Sequence, residues 1–326
     1  MITATHGGTF VSYKGKMKVL ITSNSFGKFD PKPRKMMEDL GWEVVGNRYH
    51  HIMNEEEMMG EVPGVDAIIL GSDTVSKKVL DQADSLKIIS RYGVGIDNID
   101  LQEAERKGIT VTVTKNCNTE AVADYAIGLM LATARHICNV DHSLKKGEWK
   151  KETGLDLCHK TVGVIGLGAI GRQVIKRLKG FDCKIIGYDK YLDEAYCKES
   201  NIEIASVEEI LCNADIITLH VPGNPDGTPM IGADELSMMK QDSILINTAR
   251  ASLVDEEALI AALKEKRIYG YGTDVFDGEP HIRKEFETLD NVVLSPHTAA
   301  VSVEAINKMT NCAVEHILEY FNVKKG

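Results

Sequence analysis

An α/β protein with two parallel-sheet domains is predicted by three observations. Short apolar runs recur along the chain with helix-like stretches between them; a Gly-Leu-Gly-Ala-Ile-Gly segment closes one run and opens a helix; and 326 residues exceed what one hydrophobic core usually organises. Alternation of this kind demands crossover connections, and crossovers leave neighbouring strands parallel.

After a leader of about 16 residues, Met17-Lys18-Val19-Leu20-Ile21 predicts the first strand, Arg34 to Leu40 a helix, and Trp42-Glu43-Val44-Val45 a second strand. Further strands are expected at Ala67 to Leu70, Lys87 to Ser90 and Thr110 to Val113, completing a compact α/β unit without a phosphate fingerprint. A long helix, apolar at Ala121, Val122, Tyr125, Leu129 and Ala132, is expected from Asn118 to Arg135 as a bridge to the second unit. That unit runs through strands at Thr161 to Ile165, Lys184 to Tyr188, Asp215 to Leu219, Ser243 to Asn247, Ile268 to Thr273 and Val292 to Leu294. A helix from Val303 to Phe321 ends the chain, and the order of elements leaves its docking open.

Composition narrows the function classes. Hydrophobic residues at 43% and charged residues at 26% fit an ordinary globular protein, and a net charge of −10 argues against a broad nucleic-acid surface. The seven cysteines are scattered and lack a CxxC pair, which reads as reduced thiols in a cytoplasmic protein with no disulfide framework and no metal site. The first residues carry neither a basic head nor an apolar core, so no secretory signal is expected, and the apolar stretch Ala126 to Ala134 is too short to span a bilayer.

The glycine segment carries the first functional signal. Gly166, Gly168 and Gly171 follow the β-branched run Thr161 to Ile165 and precede a helical stretch from Ile170 to Lys179, apolar at Ile170, Val174, Ile175 and Leu178. The first glycine permits the tight turn, the second lets backbone approach a pyrophosphate, and the third lets the helix pack on its strand. Free N–H groups at the helix start, around Ala169 and Ile170, then favour phosphate. Asp189 stands roughly 20 residues on, where a carboxylate accepts from a ribose 2′-hydroxyl and repels a 2′-phosphate. The expected cofactor is NAD ahead of NADP, with Lys190 tempering the preference.

Hydride transfer at a secondary alcohol needs a base for the hydroxyl proton, a cation for the neighbouring carboxylate, and a group that holds the base. His297 in Ser295-Pro296-His297-Thr298 and Arg250 after Leu245-Ile246-Asn247-Thr248-Ala249 both follow strands, at the end where ligands gather in parallel sheets. The Arg250 fork grips carboxylates; Glu279, in Asp274-Val275-Phe276-Asp277-Gly278-Glu279-Pro280, would orient the His297 ring and raise its pKa. Each alone has a plainer reading: a structural histidine, a surface ion pair, a turn cap.

Together these motifs resemble the D-isomer-specific 2-hydroxyacid dehydrogenases, over nearly everything from Met17 onward. The resemblance implies a Rossmann domain over residues 118–298 and a smaller flavodoxin-like substrate domain, discontinuous, from 17–117 and 299–326, with 1–16 as an extension. It makes His297 the acid/base, Glu279 its partner and Arg250 the ligand of the substrate carboxylate; Asp274 would contact the nicotinamide carboxamide, and Val221 and Thr248 would line the cofactor site. It also implies a homodimer with the bridging region at its interface. An NAD-sensing corepressor-like binding protein is the alternative from another class, disfavoured by the acidic balance.

In Arg91-Tyr92-Gly93-Val94-Gly95-Ile96-Asp97-Asn98, the glycines let backbone N–H groups close around an anion, or make a turn capped by Asp97 or Asn98. By resemblance Gly93, Val94 and Gly95 would touch substrate. This segment and Asn118 lie closest to the phosphoglycerate dehydrogenase branch, with glyoxylate/hydroxypyruvate reductases as the other reading. Gly71 departs from that branch, standing where a basic residue is frequent, so phosphate recognition falls to Ser72, Lys77, Lys78, Lys115 or another basic side chain. A chain ending at Gly326 is expected to carry no serine-sensing regulatory domain.

Overall fold

The computed structural model describes residues 16–323, so the reading of the leader falls outside the described residues, Lys16 apart. Described residues up to Asn118 and from Val301 onward form one compact unit, and Thr119–Ala300 form a second.

The first unit holds five parallel strands, β1 (Lys18–Ile21), β2 (Glu43–Gly46), β3 (Ala67–Leu70), β4 (Ile88–Arg91) and β5 (Thr110–Val113), in the order β2-β1-β3-β4-β5. This is the flavodoxin-like doubly wound order. Connections run through α1 (Lys32–Asp39), α2 (Glu55–Glu61), α3 (Lys77–Gln82) and α4 (Leu101–Arg106). Asn54 starts α2 with a capping box: its side chain accepts from the Glu57 N–H while the Glu57 carboxylate accepts from the Asn54 N–H. Ile68, Leu70 and Ile89 pack against Met58, Val62, Val79 and Leu80 in the core.

Seven parallel strands make the second unit: β6 (Thr161–Ile165), β7 (Lys184–Tyr188), β8 (Ile202–Ile204), β9 (Ile216–Leu219), β10 (Ile244–Asn247), β11 (Gly270–Thr273) and β12 (Val292–Leu294). Their order, β12-β11-β10-β9-β6-β7-β8, reverses direction between β6 and β9, the switch point at which such sheets take a dinucleotide. The helices are α5 (Thr119–Ala134), α6 (Ile137–Lys145), α7 (Ala169–Leu178), α8 (Glu194–Glu199), α9 (Val207–Asn213), α10 (Ala233–Met238) and α11 (Glu256–Lys264). Successive strand residues alternate between two cores: Ile165, Ile217 and Leu245 pack with Leu211, Leu236 and Leu259, whereas Val164, Ile216 and Ile244 pack with Ala126, Met130 and Val174. Helices therefore cover both faces.

The final helix, α12 (Val303–Tyr320), belongs to the first unit. It docks beside β4, where the Tyr92 hydroxyl donates to the Ile306 carbonyl and lies 2.9 Å from the Thr310 hydroxyl.

The helix α5 packs in the core of the second unit, with Ala123, Ala126 and Met130 fully buried while Glu120 and Asp124 stay exposed on the opposite side. Two expectations change. The edge strand β8 was not expected, since three residues give alternation too little length to show. Strand ends move by one or two residues, as at β11, which starts at Gly270 rather than Ile268.

Candidate active site

The C-terminal ends of the second unit's strands carry every site residue expected there. Gly166 leaves β6 with φ of 103°, and a Cβ on it would stand 2.5 Å from the His220 carbonyl oxygen and 2.9 Å from Val221 Cγ1. A Cβ on Gly171 would overlap the Gly166 carbonyl, so both positions are closed to a side chain by the fold itself. Gly168 differs: a Cβ there meets nothing within 4 Å. It heads α7 without a side-chain cap, and the N–H groups of Ala169, Ile170 and Gly171 donate to no acceptor among the described residues.

Leu167 is pinned from both sides. Its N–H donates to Asp189 Oδ2 at 2.7 Å, and its carbonyl accepts from Arg172 Nε at 3.0 Å. The other Asp189 oxygen accepts from the Tyr191 N–H, so the carboxylate is fixed at the end of β7 while each oxygen keeps a lone pair for a further donor. Thr248 Oγ1, at the end of β10, is buried with no partner. Orphaned donors at the α7 start, open space at Gly168, a fixed carboxylate and an orphaned hydroxyl fit a dinucleotide with its pyrophosphate on the helix.

His297 and Glu279 meet at the same edge. His297 Nδ1 is 2.7 Å from Glu279 Oε2, and Glu279 Oε1 accepts from the Phe276 N–H. Burial pushes the Glu279 carboxyl up, but the hydrogen bond and charge of His297 outweigh it and hold the group below the ordinary carboxylate range. A carboxylate at Nδ1 makes that nitrogen the donor and leaves Nε2 for chemistry. Arg250, half-buried, begins the turn after β10; its carbonyl accepts from Asn247 Nδ2 and one guanidinium N–H donates to the Ala249 carbonyl.

Beneath His297 lies Asp274, 1% exposed. Its Oδ1 accepts from the Ser295 hydroxyl and the Thr298 N–H, and its Oδ2 from the Ala299 N–H. The resemblance gives Asp274 a cofactor contact; the geometry gives it the turn that carries His297. His220, not singled out from the sequence although it too follows an apolar strand, hydrogen-bonds Thr218 Oγ1 through Nε2 at 2.9 Å, and burial lowers it to about 4, keeping the ring neutral.

Ser72, Gly93, Val94, Gly95 and Asn118 belong to the first unit, at the ends of β3, β4 and β5. The Gly93 N–H is committed to the Thr114 hydroxyl and the Arg91 carbonyl. Val94 and Gly95 donate to no acceptor among the described residues, and Arg91 Nε donates to the Gly95 carbonyl from below. Ser72 is exposed, and Asn118 Oδ1 is buried without a partner. At Gly71 a Cβ would stand 3.2 Å from Asp73 Oδ2, Ser23 Cα and Thr22 Oγ1, a tight fit that any side chain there would have to relieve by a shift of a few tenths of an ångström.

Residues 127–299 match the family model for the D-isomer specific 2-hydroxyacid dehydrogenase NAD binding domain. The chain belongs to the D-isomer-specific 2-hydroxyacid dehydrogenase family. It is 39% identical to a glyoxylate reductase of Pyrococcus horikoshii over 88% of both chains, and 40% identical to a D-3-phosphoglycerate dehydrogenase of Methanocaldococcus jannaschii over 87% of this chain. It spans 54% of the length of that second relative. The TT0316 protein of Thermus thermophilus has a similar structure, with a TM-score of 0.85 at 32% identity over 95% of this chain and 98% of its own. The family is one of NAD-dependent oxidoreductases acting on CH–OH groups, and NAD(P) is its cofactor. The comparisons give an NAD-sensing binding protein no support.

Proposed function

We propose that this family member interconverts a small D-2-hydroxy acid and its 2-oxo acid, with His297 as acid/base, Glu279 as its partner and Arg250 as the ligand of the substrate carboxylate. The observation that carries the reading is the 2.7 Å contact between His297 Nδ1 and Glu279 Oε2, on the sheet edge that also carries the glycine loop. In oxidation, Nε2 of the neutral ring accepts the hydroxyl proton, and Glu279 balances the imidazolium that forms; in reduction, Nε2 returns a proton to the carbonyl oxygen. The Arg250 guanidinium holds the carboxylate by two parallel N–H bonds. Bound nicotinamide supplies or accepts the hydride. Gly168 and the free N–H groups of α7 would hold the pyrophosphate, and Asp189 the ribose, which favours NAD over NADP.

Of the basic residues the sequence offers for a phosphate on substrate C3, Lys77 is paired with Asp81 and Glu103 and Lys78 with Glu55, and residue 71 is a tightly packed glycine. This supports a short unphosphorylated substrate such as glyoxylate or hydroxypyruvate. The second reading, a phosphoglycerate dehydrogenase, draws on the name of the 40%-identical relative and on Lys115. NADH oxidation with glyoxylate, hydroxypyruvate and 3-phosphohydroxypyruvate separates them. At least tenfold higher kcat/KM for the unphosphorylated acids is expected; the reverse ratio restores the second reading.

A cytoplasmic homodimer is part of the same proposal. Ile137 and Leu144 on α6 and Trp149 beyond it are 49%, 57% and 83% exposed, an apolar group of the kind that a second copy covers. No helix among the described residues is long and apolar enough to cross a membrane.

A further inference from the structure

At the opposite ends of the strands from the glycine loop, a second group of side chains converges. β6 starts at Thr161 and β7 at Lys184, paired in register, so the turns that lead into them lie side by side. Cys158 and His159 come from the first turn and Asp182 from the second. All three are exposed, and one ligand atom of each, the thiol sulfur, an imidazole nitrogen and a carboxylate oxygen, lies within 4.8 Å of the other two. The backbone fixes the turns against each other: the His159 N–H donates to the Phe181 carbonyl at 3.0 Å, and the Cys183 thiol donates to the Leu157 carbonyl at 3.2 Å. None of the three side chains has a hydrogen bond or ion pair among the described residues. The Lys184 ammonium, two residues from Asp182, is paired with Glu203 at 2.7 Å.

We propose that Cys158, His159 and Asp182 form a binding site for a late first-row divalent cation of the zinc class. The donor set decides the class. Thiolate and imidazole select zinc, cobalt or nickel over magnesium and calcium, which take oxygen ligands. Bond lengths of about 2.0–2.3 Å place tetrahedral ligands about 3.3–3.8 Å apart, so exposed side chains starting within 4.8 Å need only about an ångström of rotation to close on the ion. The Cys158 thiol passes its proton to solvent on binding, and the fourth position is left to water. The ion would clasp the starts of β6 and β7. Five residues of extended β6 separate it from Gly166, about 16 Å, so it would stabilise the second unit without altering turnover.

The test uses the purified full chain, stripped of metal and titrated with Co2+, whose thiolate charge-transfer and d–d absorption report the ligands directly. Saturation at one Co2+ per chain, displacement by Zn2+, and at least tenfold weaker binding in Cys158→Ser, His159→Ala and Asp182→Asn are expected, with Cys212→Ser unchanged. Zn2+ is expected to raise the thermal midpoint of the wild type and not of Cys158→Ser, while NADH binding reports that each variant is folded. Cobalt binding without a thiolate band, or with equal affinity in His159→Ala and Asp182→Asn, overturns the site.

Discussion

His297 adopts φ of 51°, a left-handed backbone that residues with a Cβ avoid unless their surroundings hold them there. Asp274 supplies the holding force by accepting from Ser295, Thr298 and Ala299 on both sides of the ring's backbone. Asp274→Ala would orphan those donors at about 1–3 kcal/mol for each one left buried. Urea unfolding is expected to show the loss of stability, and steady-state kinetics a fall in kcat larger than any change in NADH affinity. Wild-type stability with reduced kcat alone would give Asp274 a direct cofactor contact instead. Glu279 makes a separate prediction. Its carboxyl is lowered from 4.5, so the folded state binds fewer protons than the unfolded chain. The stabilisation it provides is present above pH 4.5 and is lost as pH falls through the lower folded value. Denaturation of Glu279→Gln between about pH 5 and pH 3 should lack that part of the slope; an unchanged slope would place the wild-type effect elsewhere.

At the scale of elements, the start of α7 separates structural from ligand-directed glycines. Gly171 faces the Gly166 carbonyl, whereas the space beside Gly168 is open to 4 Å. Gly171→Ala is therefore expected to destabilise the fold by about 1–3 kcal/mol through overpacking. Gly168→Ala should unfold like the wild type but bind NADH about tenfold more weakly, about 1.4 kcal/mol, by fluorescence titration. Equal NADH affinity in Gly168→Ala would move the pyrophosphate away from this loop. The same element shows why a strand, a glycine turn and a helix are legible together: each local preference agrees with the next. The loop after β4 shows the limit. The glycines around Val94 announce a tight turn, but which N–H groups stay free depends on Thr114, contributed by the turn after β5. Ion pairing of Lys77 with Glu103 on α4 was hidden in the same way, since it joins side chains 26 residues apart.

For the whole molecule, alternating apolar runs made both parallel sheets legible, and the placement of Arg250, Glu279 and His297 just after such runs put three side chains at the same ends of one sheet's strands before any coordinates. The cluster at Cys158, His159 and Asp182 was not, because its ligands come from two turns separated by β6 and α7 and match no compact motif. If the apolar group around α6 is the dimer interface, Trp149→Glu should give monomers in sedimentation analysis at micromolar concentration; an unchanged species would place the interface elsewhere. The central claim is that His297, held by Glu279, exchanges the substrate proton. Its most direct test is turnover of NADH with hydroxypyruvate or glyoxylate by the wild type and by His297→Ala, alongside NADH affinity. The expected result is wild-type turnover that falls about 10²–10⁴-fold in the variant with NADH binding unchanged; turnover that survives the substitution would contradict it.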